Sequence, residues 1–273
     1  MKRYSLLLLA ATVVFVTTGC VDLKGITAFS TSGAKTCSVL PAYGYTRYCF
    51  DSCYINNRDS PYVPGRCDLS HAVRYDTILH RESAQLVAYF NALAQLSGSD
   101  AVIDVDTIGG SISAGTYGQF TVTATDVQVF QGLTTALRDL LTAGVKSKDI
   151  RQNLQRFGGE VAGMIDSLIL QYSALDGLTG NLVIGLNTQL IVYGVRASPG
   201  PQRYAVLYAY NEKIGELKDA DAQQQRLIAQ LSLVEKGYRQ LAANAGNLRS
   251  KTLKQRLLAL VNNISFLSGK SNP

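Results

Sequence analysis

Four cysteines in the N-terminal part of the chain could be crosslinked or could bind a metal: Cys37, Cys49, Cys53 and Cys67. In an oxidising compartment an even set of cysteines forms disulfides, and four allow three pairings among which the spacing does not choose. The alternative is a zinc site, because Cys49 and Cys53 are four residues apart. Cys67 and His71 repeat that interval. Zinc would leave Cys37 unpaired, so we expect disulfides and no bound metal.

A fifth cysteine, Cys20, ends a segment with the three-part layout of an export signal. Lys2 and Arg3 give it a positive start, an apolar stretch covers residues 6–16, and small residues precede the cysteine. The apolar stretch has 11 residues. A helix that crosses a bilayer needs about 20, so we expect a cleaved signal instead of a permanent transmembrane anchor.

The sequence Val-Thr-Thr-Gly-Cys at residues 16–20 resembles the lipobox of bacterial lipoproteins. The resemblance covers the first 20 residues and implies that residues 1–19 are a signal peptide. It also implies that Cys20 receives a diacylglycerol thioether, becomes the new N-terminus and is then acylated with a chain such as palmitate. The alternative is an ordinary cleaved signal peptide, with Cys20 as a free thiol or in a disulfide. Lipidation of Cys20 would leave an even set of four cysteines for disulfides.

The residue after the cysteine bears on the membrane in which the protein resides. It is Val21, whereas Asp at this position commonly retains lipoproteins of Gram-negative bacteria at the inner membrane. The resemblance therefore implies a lipid-anchored protein of the cell envelope, in the outer membrane. Several acyl chains, each contributing about 0.8 kcal/mol per buried CH₂, would hold it on the bilayer.

Charge is distributed unevenly along the chain. With 26 Lys and Arg against 20 Asp and Glu, the formal net charge of +6 is too small to indicate a nucleic-acid partner. After Glu235, however, seven basic residues follow and no acidic one. Candidate contacts with anionic lipid or an anionic envelope polymer are Arg249, Lys251, Lys254 and Arg256. The alternative is an ordinary solvated helix face.

No pattern typical of an enzyme accompanies these features. The two histidines, His71 and His80, are nine residues apart and have no companion nucleophile or paired-carboxylate motif. The glycine-rich stretch at 107–115 lacks the lysine of a phosphate-binding loop and the spacing of a dinucleotide fingerprint. We therefore expect no catalytic residues, no enzymatic activity and no cofactor.

Helical periodicity dominates the chain after residue 71. Apolar residues recur at intervals of three and four in the stretches 77–98, 125–176, 201–248 and 252–267, with a break near Gly144. The clearest stripe has ten positions: Leu217, Ala220, Gln224, Leu227, Leu231, Val234, Tyr238, Leu241, Ala245 and Leu248. Such a stripe at helical spacing usually forms a core. Four glycines make residues 99–124 a predicted loop or small hairpin.

These patterns predict a mainly α protein. Because the stripes at 125–176 and 201–248 have matching lengths, we expect an elongated antiparallel helical bundle or a coiled-coil-like hairpin. Residues 20–70, rich in turn-forming residues, are predicted to be a lipid-anchored, loop-rich segment stapled by disulfides. Residues 71–273 are predicted to be the helical domain.

The connector between the two long stripes, residues 177–195, is uncharged over 19 residues. Candidate membrane contacts within it are Leu182, Val183, Ile184, Leu190, Ile191 and Val192. An apolar tip between two amphipathic helices is similar to the arrangement in helical pore-forming proteins. Four glycines and three amide side chains weaken it as a spanning helix, and a buried helix or strand pair would have the same composition.

Two functions follow from these features. The first is an envelope lipoprotein that acts as a binding or scaffolding component, whose helical surface contacts a protein partner or another copy of itself. The second is a membrane-active helical protein whose segment 177–195 inserts into a bilayer. Leakage from liposomes that is lost in Ile184→Asp and Ile191→Asp would favour the second.

Overall fold

The computed structural model of the protein describes residues 23–56, 67–101, 103, 110–142, 147–196 and 200–269. Its helices are α1 (Lys24–Cys37), α2 (Tyr45–Asn56), α3 (Ser70–Leu96), α4 (Ala124–Thr142), α5 (Ser147–Arg196), α6 (Pro201–Ala243) and α7 (Lys251–Gly269). A short 3₁₀ turn, Ala245–Asn247, joins α6 to α7. Two strands, β1 (Gly115–Tyr117) and β2 (Phe120–Val122), precede α4. The predicted fold class, a mainly α elongated antiparallel bundle, is confirmed.

One large core takes buried side chains from all seven described helices. Tyr45 belongs to α2, and the other six helices contribute, for example, Phe29, Leu93, Leu133, Leu154, Tyr238 and Leu257. Contacts between α5 and α6 run antiparallel: the Gln224 side chain donates to the Tyr172 carbonyl at 2.7 Å. Further along the same pair, the Tyr210 hydroxyl donates to Gln189 at 3.1 Å. The bundle is thus built around one long helical hairpin.

The predicted stripe of α6 is the buried face of that helix. Every position of the stripe from Leu217 to Ala245 is buried, including the polar Gln224, and Leu248 is partly buried. The part of the predicted stretch 125–176 that lies in α5 has its apolar positions buried as well: Ile150, Leu154, Phe157, Val161, Ile165, Leu168 and Tyr172. Burial of one face at intervals of three and four supplies most of the free energy that holds these helices in place.

Local sequence explains where two of the helices begin. At the start of α4, the Asp126 backbone N–H donates to the Thr123 hydroxyl at 3.2 Å, and the Thr123 backbone N–H donates to the Asp126 carboxylate at 2.7 Å. This reciprocal pair is a capping box. At the start of α6, Pro201 occupies the first helical position, where its missing N–H costs nothing.

The segment predicted as loop-rich contains two helices, α1 and α2, so that interpretation is wrong over the described residues 24–37 and 45–56. The glycines and hydroxyl residues of α1 indicated turns, but they serve close helix packing. A Cβ on Gly25 would lie 3.0 Å from Lys254 of α7, and one on Gly33 would lie 3.1 Å from Phe90 of α3. Tertiary burial of Ile26 and Phe29 outweighs the weak local propensity.

The structure contains one of the expected disulfides. Cys53 and Cys67 are bonded, and both lie in the N-terminal region. Cys37, which is fully buried in the core, and Cys49 are free thiols, so the expectation that all four cysteines are crosslinked is wrong for these two. The bridge also takes two sulfurs out of the alternative zinc-ligand set.

The apolar connector at 177–195 is part of α5, which continues as one helix from Ser147 to Arg196. Its 50 residues make a helix about 75 Å long. The expectation of a separate connector is therefore corrected: the chain reverses direction only after residue 196. Glycines at 177, 180 and 185 lower the helix propensity of this stretch, but burial of Leu182 and Leu186 on its other face stabilises the helix.

Part of the predicted glycine-rich loop at 99–124 is a small hairpin. Gly115 pairs with Val122 and Tyr117 pairs with Phe120 in an antiparallel register. The hairpin packs on α3 through Phe120, whose ring stacks on Tyr75 with centroids 4.1 Å apart. Residues 102 and 104–109 of the segment lie outside the described residues.

Candidate functional site

The hairpin of α5 and α6 extends beyond the large core. In α5 the last member of that core is Leu175, and in α6 the first is Leu227. Residues 176–196 and 201–226 therefore form a projecting helix pair, which we call the arm, and the remaining described residues are the body. The α5 part of the arm has 21 residues and spans about 32 Å.

A second, smaller core holds the arm together, with members Tyr43, Leu182, Leu186, Ile214, Leu217 and Ala220. Tyr43 comes from the loop before α2, and its hydroxyl donates to Asp51 of that helix. Burial and this hydrogen bond both raise the pKa of Tyr43 above its usual value. Lys213 of α6 forms an ion pair with Asp51 at 2.7 Å, and Arg47 pairs with Glu216. One side of the arm is thus fastened to α2.

The six candidate membrane-contact residues fall into two groups in the structure. Leu182 is buried in the small core, and Val183 and Leu190 pack against it. Ile184, Ile191 and Val192 are exposed, with 65%, 66% and 38% of their surface accessible. Among the described residues, no helix combines the length and hydropathy that a membrane span requires.

The exposed side of α5 carries a stripe that we call the outer seam: Leu170, Ala174, Gly177, Asn181, Ile184, Thr188 and Ile191. Its members alternate in steps of four and three, and every one is exposed. None is charged. Three heptads of such spacing are typical of a helix–helix contact, yet no described element of the chain covers this one.

The outer seam continues a face of α5 that α4 covers in the body. The Asn153 amide donates to the Ala136 carbonyl of α4 at 2.8 Å. A Cβ on Gly163 would lie 3.6 Å from Val129 of α4. From Asn153 through Arg156, Glu160, Gly163 and Ser167 to Leu170, the same steps of three and four lead into the seam. The continuous stripe was not predicted from the sequence, although the regular spacing of three and four from 153 to 191 indicates it.

The exposed side of α6 in the arm has a different character. It presents charged residues, among them Glu212, Lys218 and Asp219. Two large aromatic residues, Tyr204 and Tyr208, are also exposed near its start, at 73% and 72%. The exposed charges of α6 begin at Glu212, whereas the outer seam of α5 is uncharged over its whole length.

At the opposite end of the molecule lies a surface that we call the base, where α1 begins, α3 ends, α4 meets α5 and α6 turns into α7. The Thr27 hydroxyl donates to the Ser97 carbonyl there at 2.8 Å. Side chains described at the base are mainly basic: Lys24, Arg138, Arg151, Arg156, Arg249, Lys251, Lys254 and Arg256, against Asp100, Asp139 and Asp149. The four predicted anionic-surface residues all belong to it.

Three of those four residues, Arg249, Lys251 and Arg256, are exposed. Lys254 is half-buried because its side chain packs over Gly25 at the start of α1. The predicted lipidation site, Cys20, lies outside the described residues, with three residues between it and Lys24. The base is therefore the part of the described structure to which Cys20 is tethered.

One carboxyl group is buried in the body without a cation. Glu82 of α3 is fully buried, and one of its oxygens accepts a hydrogen bond from Gln171 at 2.9 Å. Its other oxygen has no hydrogen-bond partner among the described residues. Burial raises the pKa of Glu82 to about 7. Where the body meets the arm, burial and the neighbouring Asp221 raise the pKa of Asp176 to about 6.

The two histidines do not form a site together. His71 and His80 are both exposed on α3. In the part of the chain that the structure describes, no group of three or more histidine, cysteine or acidic residues is arranged to hold a metal ion. The surfaces with distinctive chemistry are thus the uncharged outer seam and the basic base.

Comparison with known proteins gives no relative: no protein-family model, curated protein or solved structure matches this chain.

Proposed function

We propose that this protein is a lipid-anchored component of the outer membrane that acts by binding, with the outer seam of α5 as its contact surface. The observation that carries the proposal is the seam itself. The face of α5 that α4 covers in the body is exposed further along the helix, at Leu170, Ile184 and Ile191. Exposed apolar residues in a heptad pattern are typical of a surface that binds another helix. We propose no catalytic role.

The anchor in this proposal is Cys20. Three residues separate it from Lys24, and at about 3.5 Å per residue the first turn of α1 lies within about 14 Å of the lipid. The basic base would then be next to the bilayer. Basic side chains near an anionic surface each contribute about 1 kcal/mol to binding, so Arg249 and Lys251 support the attachment.

The anchor is tested by labelling cells with a palmitate analogue and separating membranes from soluble material. We expect the label on the wild-type protein and its loss in Cys20→Ser, with release of that variant from the membrane fraction. Cys49→Ser is the matched control, because it also removes one thiol but lies outside the lipobox. Label that survives Cys20→Ser would overturn the proposed anchor.

The binding surface is tested by photo-crosslinking in intact cells. A benzophenone amino acid at Ile184 reports on the outer seam, and the same group at Tyr208 reports on the exposed side of α6. We expect a specific crosslinked product from position 184 and none from position 208. Equal labelling at both positions, or none at either, would contradict a binding role for the seam.

The exposed Ile184, Ile191 and Val192 also support a second function, insertion of the arm into a bilayer. The sequence contains no tryptophan, so Ile191→Trp introduces a single fluorescent reporter. Insertion would shift its emission to shorter wavelengths on vesicles that contain anionic lipid. A Tyr208→Trp variant is the control. Unchanged emission at position 191 would exclude this function.

A further inference from the structure

We infer that the outer seam of α5 pairs with the outer seam of a second copy of this chain, with the two α5 helices antiparallel. The inference rests on the proposed binding role of the arm and names the occupant of that surface. Four observations carry it: the continuity of the seam with an existing helix interface, the position of α4, the sizes of the seam residues and their lack of charge.

The first observation is that the face is already used for helix packing. In the body α4 lies on it closely, since a Cβ on Gly132 would lie 2.7 Å from the Glu160 side chain. The outer seam extends the same stripe with small residues, Ala174 and Gly177, that also permit close approach. A helix that occupies the seam would therefore lie end to end with α4.

The position of α4 determines the direction of that helix. Val129 of α4 lies next to Gly163 of α5, so Ala124, the first residue of α4, is level with about residue 168. A parallel second copy would bring its own α4 into the space that α4 of the first copy occupies. An antiparallel copy places its body beyond the tip of the arm, where nothing described obstructs it.

The same constraint selects a register. If Ala174 faces Ile191 of the second copy, Arg196 of that copy is level with about residue 169, and its helix ends where α4 begins. In this register Gly177 faces Thr188 and Asn181 faces Ile184. Each layer pairs a smaller side chain with a larger one, which is how facing helices fill the space between them.

The absence of charge along all three heptads distinguishes this face from that of α6, which is charged from Glu212 onward. Burial of an unpaired charge is costly, and the outer seam contains none, whereas α6 presents Glu212, Lys218 and Asp219. The pairing is isologous, as in most homodimers, because the same patch serves both copies. It places the two bases about 105 Å apart, at opposite ends of the dimer.

Disulfide crosslinking tests the direction and register. Two variants of the full-length protein, Ala174→Cys and Ile191→Cys, are made in a Cys49→Ser background, extracted in mild detergent, and oxidised separately and together. We expect a covalent dimer only in the mixture, because position 174 of one copy faces position 191 of the other. Dimers from either variant alone would indicate parallel helices and overturn the inference, as would no dimer in any sample.

Sedimentation velocity tests whether the seam holds the copies together. Ile184→Glu places a carboxylate in the seam of each copy, and because this residue is exposed the fold should be unaffected, which circular dichroism checks. We expect the dimer dissociation constant to rise at least about 100-fold. The control is Tyr208→Glu, which changes a similarly exposed residue on α6 and should leave the dissociation constant unchanged. A wild type that is monomeric at every concentration overturns the inference.

These outcomes are separable from failure of the proposed anchor. Crosslinking and sedimentation are measured on extracted protein and do not depend on the lipid, so Cys20→Ser should still dimerise. If the palmitate label is absent but the mixed disulfide forms, the anchor fails and the dimer stands. If the label is present and the wild type is monomeric, the dimer fails and the anchor stands.

Discussion

The body and the arm contain the same two helices, α5 and α6, in different surroundings. In the body α5 is covered by α4 on the stripe that includes Asn153 and Gly163, and its inner stripe is buried against α6. In the arm the inner stripe is still buried, but the outer stripe is exposed. The difference is the number of neighbouring helices, so the arm is a helix pair with one uncharged face left exposed.

The glycines of the two regions show the same contrast. In the body, a Cβ on Gly237 of α6 would come within 2.3 Å of the Phe29 ring. In the arm, a Cβ on Gly177, Gly180, Gly185 or Gly215 would meet nothing within 4 Å. Gly237 permits close contact between helices of the body, whereas these four glycines of the arm have no such contact within the described chain.

The largest expected difference between the regions concerns their cores. Leu133→Ala, in the body, should lower the free energy of unfolding by about 3 to 5 kcal/mol, because a fully buried leucine leaves a cavity. Leu186→Ala, in the small core of the arm, should lower the free energy of unfolding by less, since a core with few members can collapse around a cavity more easily than the large one. Urea denaturation measures both. An equal or larger loss for Leu186→Ala would show that the arm is not a separate, weaker region.

The second prediction concerns the buried carboxyl of the body. Burial raises the pKa of Glu82 from 4.5 to about 7. Between these values the folded state retains a proton that the unfolded state has lost, so stability falls as the pH rises through this range. The total loss is about 3 kcal/mol at 1.36 kcal/mol per pKa unit.

Glu82→Gln should remove this dependence. Urea denaturation should give the variant and the wild type equal stability at pH 4, and should find the variant about 3 kcal/mol more stable at pH 8. Asp176→Asn, at the junction with the arm, is the comparison. Because the pKa of the Asp176 carboxyl is raised to about 6, the stability difference between this variant and the wild type should reach its full value at a lower pH. A constant difference between Glu82→Gln and wild type across the range would contradict the prediction.

The third prediction is that a Gly→Ala substitution changes stability in opposite directions in the two regions. Gly237→Ala should destabilise the protein by about 1 to 3 kcal/mol, because the new methyl overlaps the rigidly packed Phe29 ring. Gly215→Ala, in an open stretch of the same helix, should stabilise by about 0.5 to 1 kcal/mol through helix propensity. Thermal unfolding of the two variants measures the signs, and a stabilised Gly237→Ala would refute the close packing of α1 on α6.

The smallest expected effect concerns the attachment of α2 to the arm. Lys213→Met removes the ion pair with Asp51 and should cost up to about 1 kcal/mol, since both groups are partly accessible to water. Hydrogen exchange should show faster exchange in the arm and no change in the body. Arg239→Met is the matched control, because its ion pair with Asp166 lies in the body. Faster exchange throughout the molecule would show that the arm is not attached independently.

The elements with a strong helical period were predictable from the sequence. Leu231, Val234 and Tyr238 are buried as their spacing predicts, and so are Leu154 and Val161. Helix α1 was missed because Gly25 and Gly33 indicate turns when only neighbours in the chain are considered. The helical state of 177–195 was missed for a similar reason, since glycines and a lack of charge fit a connector as well as an exposed helix.

The candidate surfaces divide in the same way. The basic residues Arg249 and Lys251 were visible as a run without acidic neighbours, but the addition of Lys24 and Arg151 to the same surface required the fold. The outer seam was hidden because its residues are partly polar or small, and a stripe such as Asn181, Ile184 and Thr188 becomes recognisable only when the helix and its exposed side are known.

The sequence by itself determined the helical class and the buried faces of α5 and α6, because periodicity depends on residues close together in the chain. The tertiary structure decided that Cys53 bonds Cys67, that α1 is a core helix, and that the outer seam is open. These features depend on which distant segments lie next to one another. Which face of α5 is covered by α4 is settled by packing across the bundle, which no local pattern encodes.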